Sequence, residues 1–129
     1  MQTFEQHKVV DQGDLDDLEH VNNVRYVQWV QDIAEEHWEN KTNEAILKRF
    51  FWVLVEHHIK YKSPAILGDV LKIKTYVEKS GGLKSERIVE ITNENTHDVI
   101  VQSKTTWVFM SRQSNKPTRI PEDIRTLFD

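Results

Sequence analysis

One stretch of the chain carries a sustained helical pattern, and nearly everything after it alternates as strand. Over residues 22–39, Val27, Val30, Ala34 and Trp38 recur at helical spacing, with Tyr26, Ile33 and His37 on a neighbouring line. Asn22 or Asn23 suits the cap. The apolar surface is broad, as expected for a helix embraced by a sheet. Thr3 to Val10 reads as a strand before it, with a polar loop over 11–20 in between. Residues 40–50 read as a polar turn or a short second helix. In 52–62, Val53, Val55, His57, Ile59 and Tyr61 alternate with Leu54, Glu56, His58, Lys60 and Lys62. In 69–79, Leu71, Ile73, Thr75 and Val77 alternate with Lys72, Lys74, Tyr76 and Glu78. Ser80-Gly81-Gly82 predicts a hairpin turn into a strand over 83–92. Thr92 to Thr96 makes another turn before a long β-branched strand over 98–110. Pro121, at a first helical position with acids behind it, predicts a short terminal helix. One helix on one antiparallel sheet is α+β. The pattern alone also permits a cystatin-like arrangement.

A chain of 129 residues fits one domain, residues 1–129, with room for a real core. There is no cysteine, which removes a disulfide framework, a thiolate nucleophile and cysteine-ligated zinc. No apolar run approaches a membrane span, and the first residues lack a signal-peptide pattern, so a cytoplasmic protein without a membrane partner is expected. A net charge of −4 argues against nucleic acid as a partner. That charge is uneven: residues 1–59 hold 12 acids and 5 bases, residues 60–129 hold 9 acids and 12 bases. A basic second half suits a phosphorylated ligand, although lysines on strand faces also serve solubility.

The loop before the helix is densest in chemistry. It runs Asp14-Leu15-Asp16-Asp17-Leu18-Glu19-His20-Val21-Asn22-Asn23-Val24-Arg25-Tyr26. A helix start offers unpaired N–H groups and the positive end of a dipole, which together can hold a developing oxyanion. A carboxylate beside it can attack a carbonyl or activate a water. Asp and Asn also cap helices and order turns with no chemistry, so residue type alone leaves a structural reading open.

This stretch resembles the D-x-D-x-x-G-H-V-N-N-x-x-Y signature of hotdog-fold thioesterases in the 4-hydroxybenzoyl-CoA thioesterase-like family. Asp14, Asp16, His20, Val21, Asn22, Asn23 and Tyr26 all fall in place. Plant acyl-acyl-carrier-protein thioesterases carry a similar segment, and Trp29 suits both groups. The run Ile59 to Asp69 resembles the Y-x-x-P-A-x-x-G-D segment of bacterial acyl-CoA thioesterases, and Lys116 to Pro121 looks like their tail. Two departures stand out. Glu19 occupies the position of a glycine in many bacterial relatives. Leu18 and Pro64-Ala65 stand where the plant enzymes have an asparagine and an acid–cysteine pair, so the plant catalytic set does not carry over whole.

The resemblance implies a hotdog fold, one long central helix wrapped by a curved antiparallel sheet of about five strands. It implies hydrolysis of an acyl-CoA to the acid and free coenzyme A, with no cofactor. Asp16 takes the place of the catalytic carboxylate, as nucleophile or general base. His20 would polarise the carbonyl, position water or protonate the leaving thiolate. Asn23 completes that set at the helix start, where its N–H or that of Val24 is the expected oxyanion donor. Asp14 is expected to order the loop and Asp17 to be solvated. Tyr26 would pack and line the pocket. Lys84, Arg112 and Arg119 are candidate contacts for coenzyme A. The family implies a homodimer or homotetramer with sites at the subunit interface. Alternatives are an acyl-carrier-protein thioesterase and a non-enzymatic acyl-thioester binding protein. No metal is expected: His57 and His58 are adjacent on a strand and point to opposite faces, and Glu35-Glu36-His37 offers no i, i+4 ligand pair. His57 reads as a satisfied core histidine.

Overall fold

The helical pattern forms as read and continues to Lys41. The computed structural model describes residues 2–129, and Met1 lies outside the described residues. Helix α1 spans Asn23–Lys41, and Asn22 caps it by accepting the Val24 N–H at 3.0 Å. Tyr26, Val30, Ile33, Ala34, His37 and Trp38 are its buried residues, whereas Val27 is half-buried. A short helix α2, Glu44–Arg49, follows, and the Asn43 side chain caps it by accepting from the Ile46 N–H.

The strands are β1 (Phe4–Val9), β2 (Phe50–Tyr61), β3 (Val70–Gly81), β4 (Lys84–Asn93), β5 (Val99–Ser111) and the two-residue β6 (Lys116–Pro117). They form one antiparallel sheet in the order β1-β3-β4-β5-β2, with β6 on β5. This long helix on a curled antiparallel sheet is the hotdog fold. The β3–β4 turn is Gly82-Leu83, slightly later than the serine–glycine run suggests. Gly81 still pairs with Lys84, and Gly82 supplies the left-handed φ of 60°. Helix α3, Glu122–Arg125, starts after Pro121, which is its cap residue rather than its first helical residue. A 3-10 turn at Thr126–Phe128 then brings Phe128 into the core.

β2 departs from the simple alternation. Leu54 pairs with Trp107 and Glu56 with Thr106, so Val55 is an extra, bulged residue. Because side chains alternate with period two, one inserted residue exchanges the two faces. Phe50 and Trp52 pack inward before the bulge and Ile59 after it. Val53 and Val55, expected inward, are 38% and 53% exposed. His57 is half-buried and satisfied by Ser103 Oγ at 2.8 Å, as a core histidine should be.

The core has two parts along α1. Near its start the cluster is mostly aliphatic, with Val10, Val21, Val30, Ile33, Leu71, Val89 and Ile91 around Tyr26. Near its end the cluster is aromatic, with Trp38, Phe50, Phe109 and Phe128. Among the described residues, no helix is long and apolar enough to cross a membrane.

Candidate active site

The motif loop is held by its own carboxylates. Asp16 Oδ1 accepts the N–H groups of Leu18 at 2.9 Å and His20 at 3.2 Å. The Asp16 N–H donates to the His20 carbonyl at 2.7 Å, and the Glu19 N–H to the Asp16 carbonyl at 3.0 Å. One carboxylate oxygen therefore pins the loop. Among the described residues, Oδ2 of this exposed side chain accepts no hydrogen bond. Asp14 is 5% exposed and orders the loop as expected. Its Oδ2 accepts the Asp11 N–H at 3.0 Å and lies 3.7 Å from Lys8 Nζ, while its Oδ1 lies 3.6 Å from Arg25 Nε. Asp17 is exposed.

Glu19 takes φ 62°, in the left-handed region where a Cβ costs about 1 kcal/mol. This explains why glycine serves the family pattern at that position. Here the Asp16 hydrogen bonds hold the loop in the same turn, and the exposed Glu19 side chain points away from its interior.

The second segment carrying the resemblance lies directly against the first. The Val21 N–H donates to the Ala65 carbonyl at 2.9 Å, and His20 bridges Ile66. Gly68, at φ 85°, donates to the Val10 carbonyl, while Asp69 Oδ2 accepts the Ile66 N–H. Sequence reasoning ranked these residues only as a resemblance. The signal available was that both sharp segments belong to one family pattern. The His20 main chain is thus fixed on two sides, and its imidazole makes no hydrogen bond among the described residues.

At the helix start the two candidate oxyanion donors separate. The Val24 N–H is occupied by the Asn22 cap, so it is not available, which corrects its place in the expected set. The Asn23 N–H donates to no protein acceptor among the described residues, as a first-turn N–H does when no side chain reaches it.

Tyr26 is a packing residue rather than an open wall. It is 3% exposed, edge-on to Trp29 at 5.7 Å and 6.0 Å from Tyr61. Among the described residues its hydroxyl has no well-aligned hydrogen-bond partner, although the Ala65 backbone lies near it. Burial pushes its pKa up to about 12, against a lowering from the Ala65 backbone and with help from Asp69, Asp16 and Tyr61. Within this chain it therefore offers substrate no open contact.

Lys84, Arg112 and Arg119 do not join Asp16 in the same chain. β3 begins at Val70, next to the motif, and ends at Gly81, which pairs with Lys84. Eleven strand steps separate these ends by roughly 36 Å of chain. Arg112 donates Nε to the Leu47 carbonyl at 2.8 Å and stacks on Phe51. Arg119 is exposed in the segment after β6, just before Ile120, whose N–H bonds Gly82 at that same far end. The sequence places Lys84 at the glycine hairpin and Arg112 and Arg119 after the last long strand, but does not show which end of the sheet those points reach.

With this geometry in place, the relatives are informative. Residues 10–128 match the thioesterase-like superfamily. The chain belongs to that superfamily. Over 85 residues, 66% of this chain, it is 26% identical to a chloroplastic acyl-acyl-carrier-protein hydrolase of Cuphea viscosissima, spanning 21% of that protein's length. It superposes on a 1,4-dihydroxy-2-naphthoyl-CoA thioesterase from Synechocystis with a TM-score of 0.84, at 19% identity, over 98% of this chain and 96% of that one. A Staphylococcus aureus protein solved in complex with CoA gives a TM-score of 0.88 at 17% identity, over 98% of this chain and 81% of its own. This superfamily member thus shares the hotdog fold with both.

Proposed function

We propose that this protein is an acyl-CoA thioesterase, with Asp16 as the reacting carboxylate. The observation that carries the reading is the division of labour at Asp16. One oxygen locks the loop, and the other is left for chemistry. In the nucleophilic route that oxygen adds to the thioester carbon, the C–S bond breaks, and the thiolate of coenzyme A leaves with a proton. Water then hydrolyses the mixed anhydride. In the general-base route Asp16 takes a proton from water as the water attacks. The Asn23 N–H at the start of α1 is the oxyanion donor in either route. His20 positions water or protonates the leaving thiolate. No metal or cofactor is needed.

The reading includes a homodimer. β2 is an edge strand with exposed Val53, Val55 and Tyr61, the kind of edge that pairs with another chain. A partner across it would wall a site that is open in one chain, and a tetramer would pair two such dimers. A cysteine-free chain suits the reducing cytoplasm.

A second reading, hydrolysis of acyl-carrier-protein thioesters, is favoured by the curated plant relatives. Free-thiol release from short, long and aromatic acyl-CoAs tests the first reading. Asp16→Asn should lower turnover about 10²- to 10⁴-fold. An unimpaired variant removes Asp16 from its role. Turnover confined to acyl-carrier-protein thioesters moves the assignment to the second reading. Binding without turnover of either carrier leaves a binding protein.

A further inference from the structure

The aromatic end of the core holds a cation with no anion. Arg87, on β4, is 7% exposed. Its Nη1 donates to His37 Nδ1 at 2.8 Å and to Thr75 Oγ1 at 3.0 Å. His37 is fully buried and accepts through Nδ1, so it is neutral and offsets no charge. Burial, followed by Arg87 and Lys41, pulls its pKa down to about 4. Burial also lowers Arg87, to about 10, which leaves the guanidinium charged at neutral pH. Among the described residues, no carboxylate pairs with Arg87, and its Nε and Nη2 donate to no protein acceptor.

A charge removed from water without a counter-ion is costly, and proteins normally pair it. Here Arg87 lines a cavity of about 330 Å³. Trp38, Trp52, Trp107 and Phe128 give that cavity its aromatic walls. The two nearby arginines are engaged elsewhere: Arg125 pairs with Glu122 and Asp129, and Arg112 binds the Leu47 carbonyl. Glu35 and Glu39 lie at the exposed rim, where water screens them. A cavity with aromatic side chains on its walls and one buried charge that meets a ring, Phe128 at 5.9 Å, but no carboxylate is the makings of a small-molecule site. At roughly 30 Å³ per water-sized group, the volume suits about ten non-hydrogen atoms.

The geometry points to a second ligand site, in which Arg87 pairs through Nε and Nη2 with the carboxylate of a small acid whose apolar body packs among Trp38, Trp52 and Phe128. The fork of the guanidinium matches a carboxylate with two parallel hydrogen bonds. Asp16 lies at the other end of α1, so this site is separate from the motif loop. The acid is either a free carboxylate or the far, carboxylate-bearing end of an acyl group.

Octanoate and octan-1-ol are matched probes, and the cavity tryptophans report binding by fluorescence. Octanoate should bind the wild type roughly tenfold or more tighter than octan-1-ol, because only the anion meets the charge. Arg87→Met should remove that preference while still binding the alcohol, and Arg87→Lys should keep part of it. Equal binding of acid and alcohol by the wild type overturns the proposal. So does a preference that survives in a folded Arg87→Met. If circular dichroism shows that Arg87→Met is unfolded, the wild-type preference and its weakening in Arg87→Lys decide. Turnover of octadecanedioyl-CoA against octadecanoyl-CoA, whose chains are long enough to run the roughly 21 Å along α1, identifies the source. A wild-type preference for the former assigns the acyl far end, and octanoate binding without that preference assigns a free acid. Titration needs no hydrolysis, so this site stands or falls apart from the reaction at Asp16.

Discussion

The two ends of α1 are built on opposite principles. At its start the polar groups are near solvent, and the loop is held by many short-range hydrogen bonds from Asp14 and Asp16. Its core neighbours are mostly aliphatic. At its end, about 21 Å along the helix axis at His37, the polar groups are buried among aromatic rings. His37 stacks on Phe4 at 5.1 Å and meets Phe128 edge-on at 5.0 Å. Local bonds can hold a reactive carboxylate in water, where its charge is cheap. Holding Arg87 out of water takes long-range packing, and its remaining N–H groups stay available. In the proposed function the start of α1 serves chemistry that a partner subunit completes, and its end serves selection of a ligand.

Four experiments break or sharpen that contrast. The largest effect belongs to the start of α1. Asp16→Asn should cost about 10²- to 10⁴-fold in thiol release while octanoate titration at the tryptophans stays as in wild type. Loss of both would mean that the two ends act as one site.

The next effect belongs to the end of α1 and is a pH dependence of folding. The folded-state pKa of His37, about 4, lies below its ordinary value of 6.5. Between those values the unfolded chain binds the proton more readily, so stability is intact above 6.5 and falls as pH drops toward 4. The loss should reach about 3 kcal/mol by the acid end of that window. Urea unfolding across the window checks it, and His37→Gln should flatten the slope. An unchanged slope in that variant would place the acid sensitivity elsewhere.

Asn22→Ala should cost about 1 kcal/mol by removing the α1 cap, measured by urea midpoint. It also frees the Val24 N–H. A gain in turnover would make Val24 an oxyanion donor after all; a loss or no change keeps Asn23 in that position. The smallest effect has the opposite sign. Glu19→Gly relieves the left-handed φ and should raise stability by a few tenths to about 1 kcal/mol, with turnover retained. A destabilised variant would show that the Glu19 side chain holds the loop.

Much of this was legible in the chain. The α1 pattern, a cap at Asn22 or Asn23 and the loop-ordering role of Asp14 rest on contacts between near neighbours, and spacing reports those directly. The segment over 40–50 was ambiguous because α2 has no buried residue of its own and so carries no apolar stripe. The alternation puts Val53 and Val55 on one face with Ile59, and the structure separates them by a bulge, which leaves no mark in a run of β-branched residues. The distance of Lys84, Arg112 and Arg119 from Asp16 is invisible in the sequence, because sequence order does not show which end of a sheet a turn occupies.

By itself, then, the sequence determined α1 and the five long strands, their order, the capped helix start and the loop that presents Asp16. These follow from hydrogen bonds and side-chain periods spanning a few residues. Only the tertiary structure decided that β2 exposes two valines, and that Arg87 and His37, separated by 50 positions, meet among the aromatic side chains of the core. Those outcomes depend on strand register and on which surfaces water can no longer reach, and both are properties of the assembled sheet and helix rather than of any short stretch of chain.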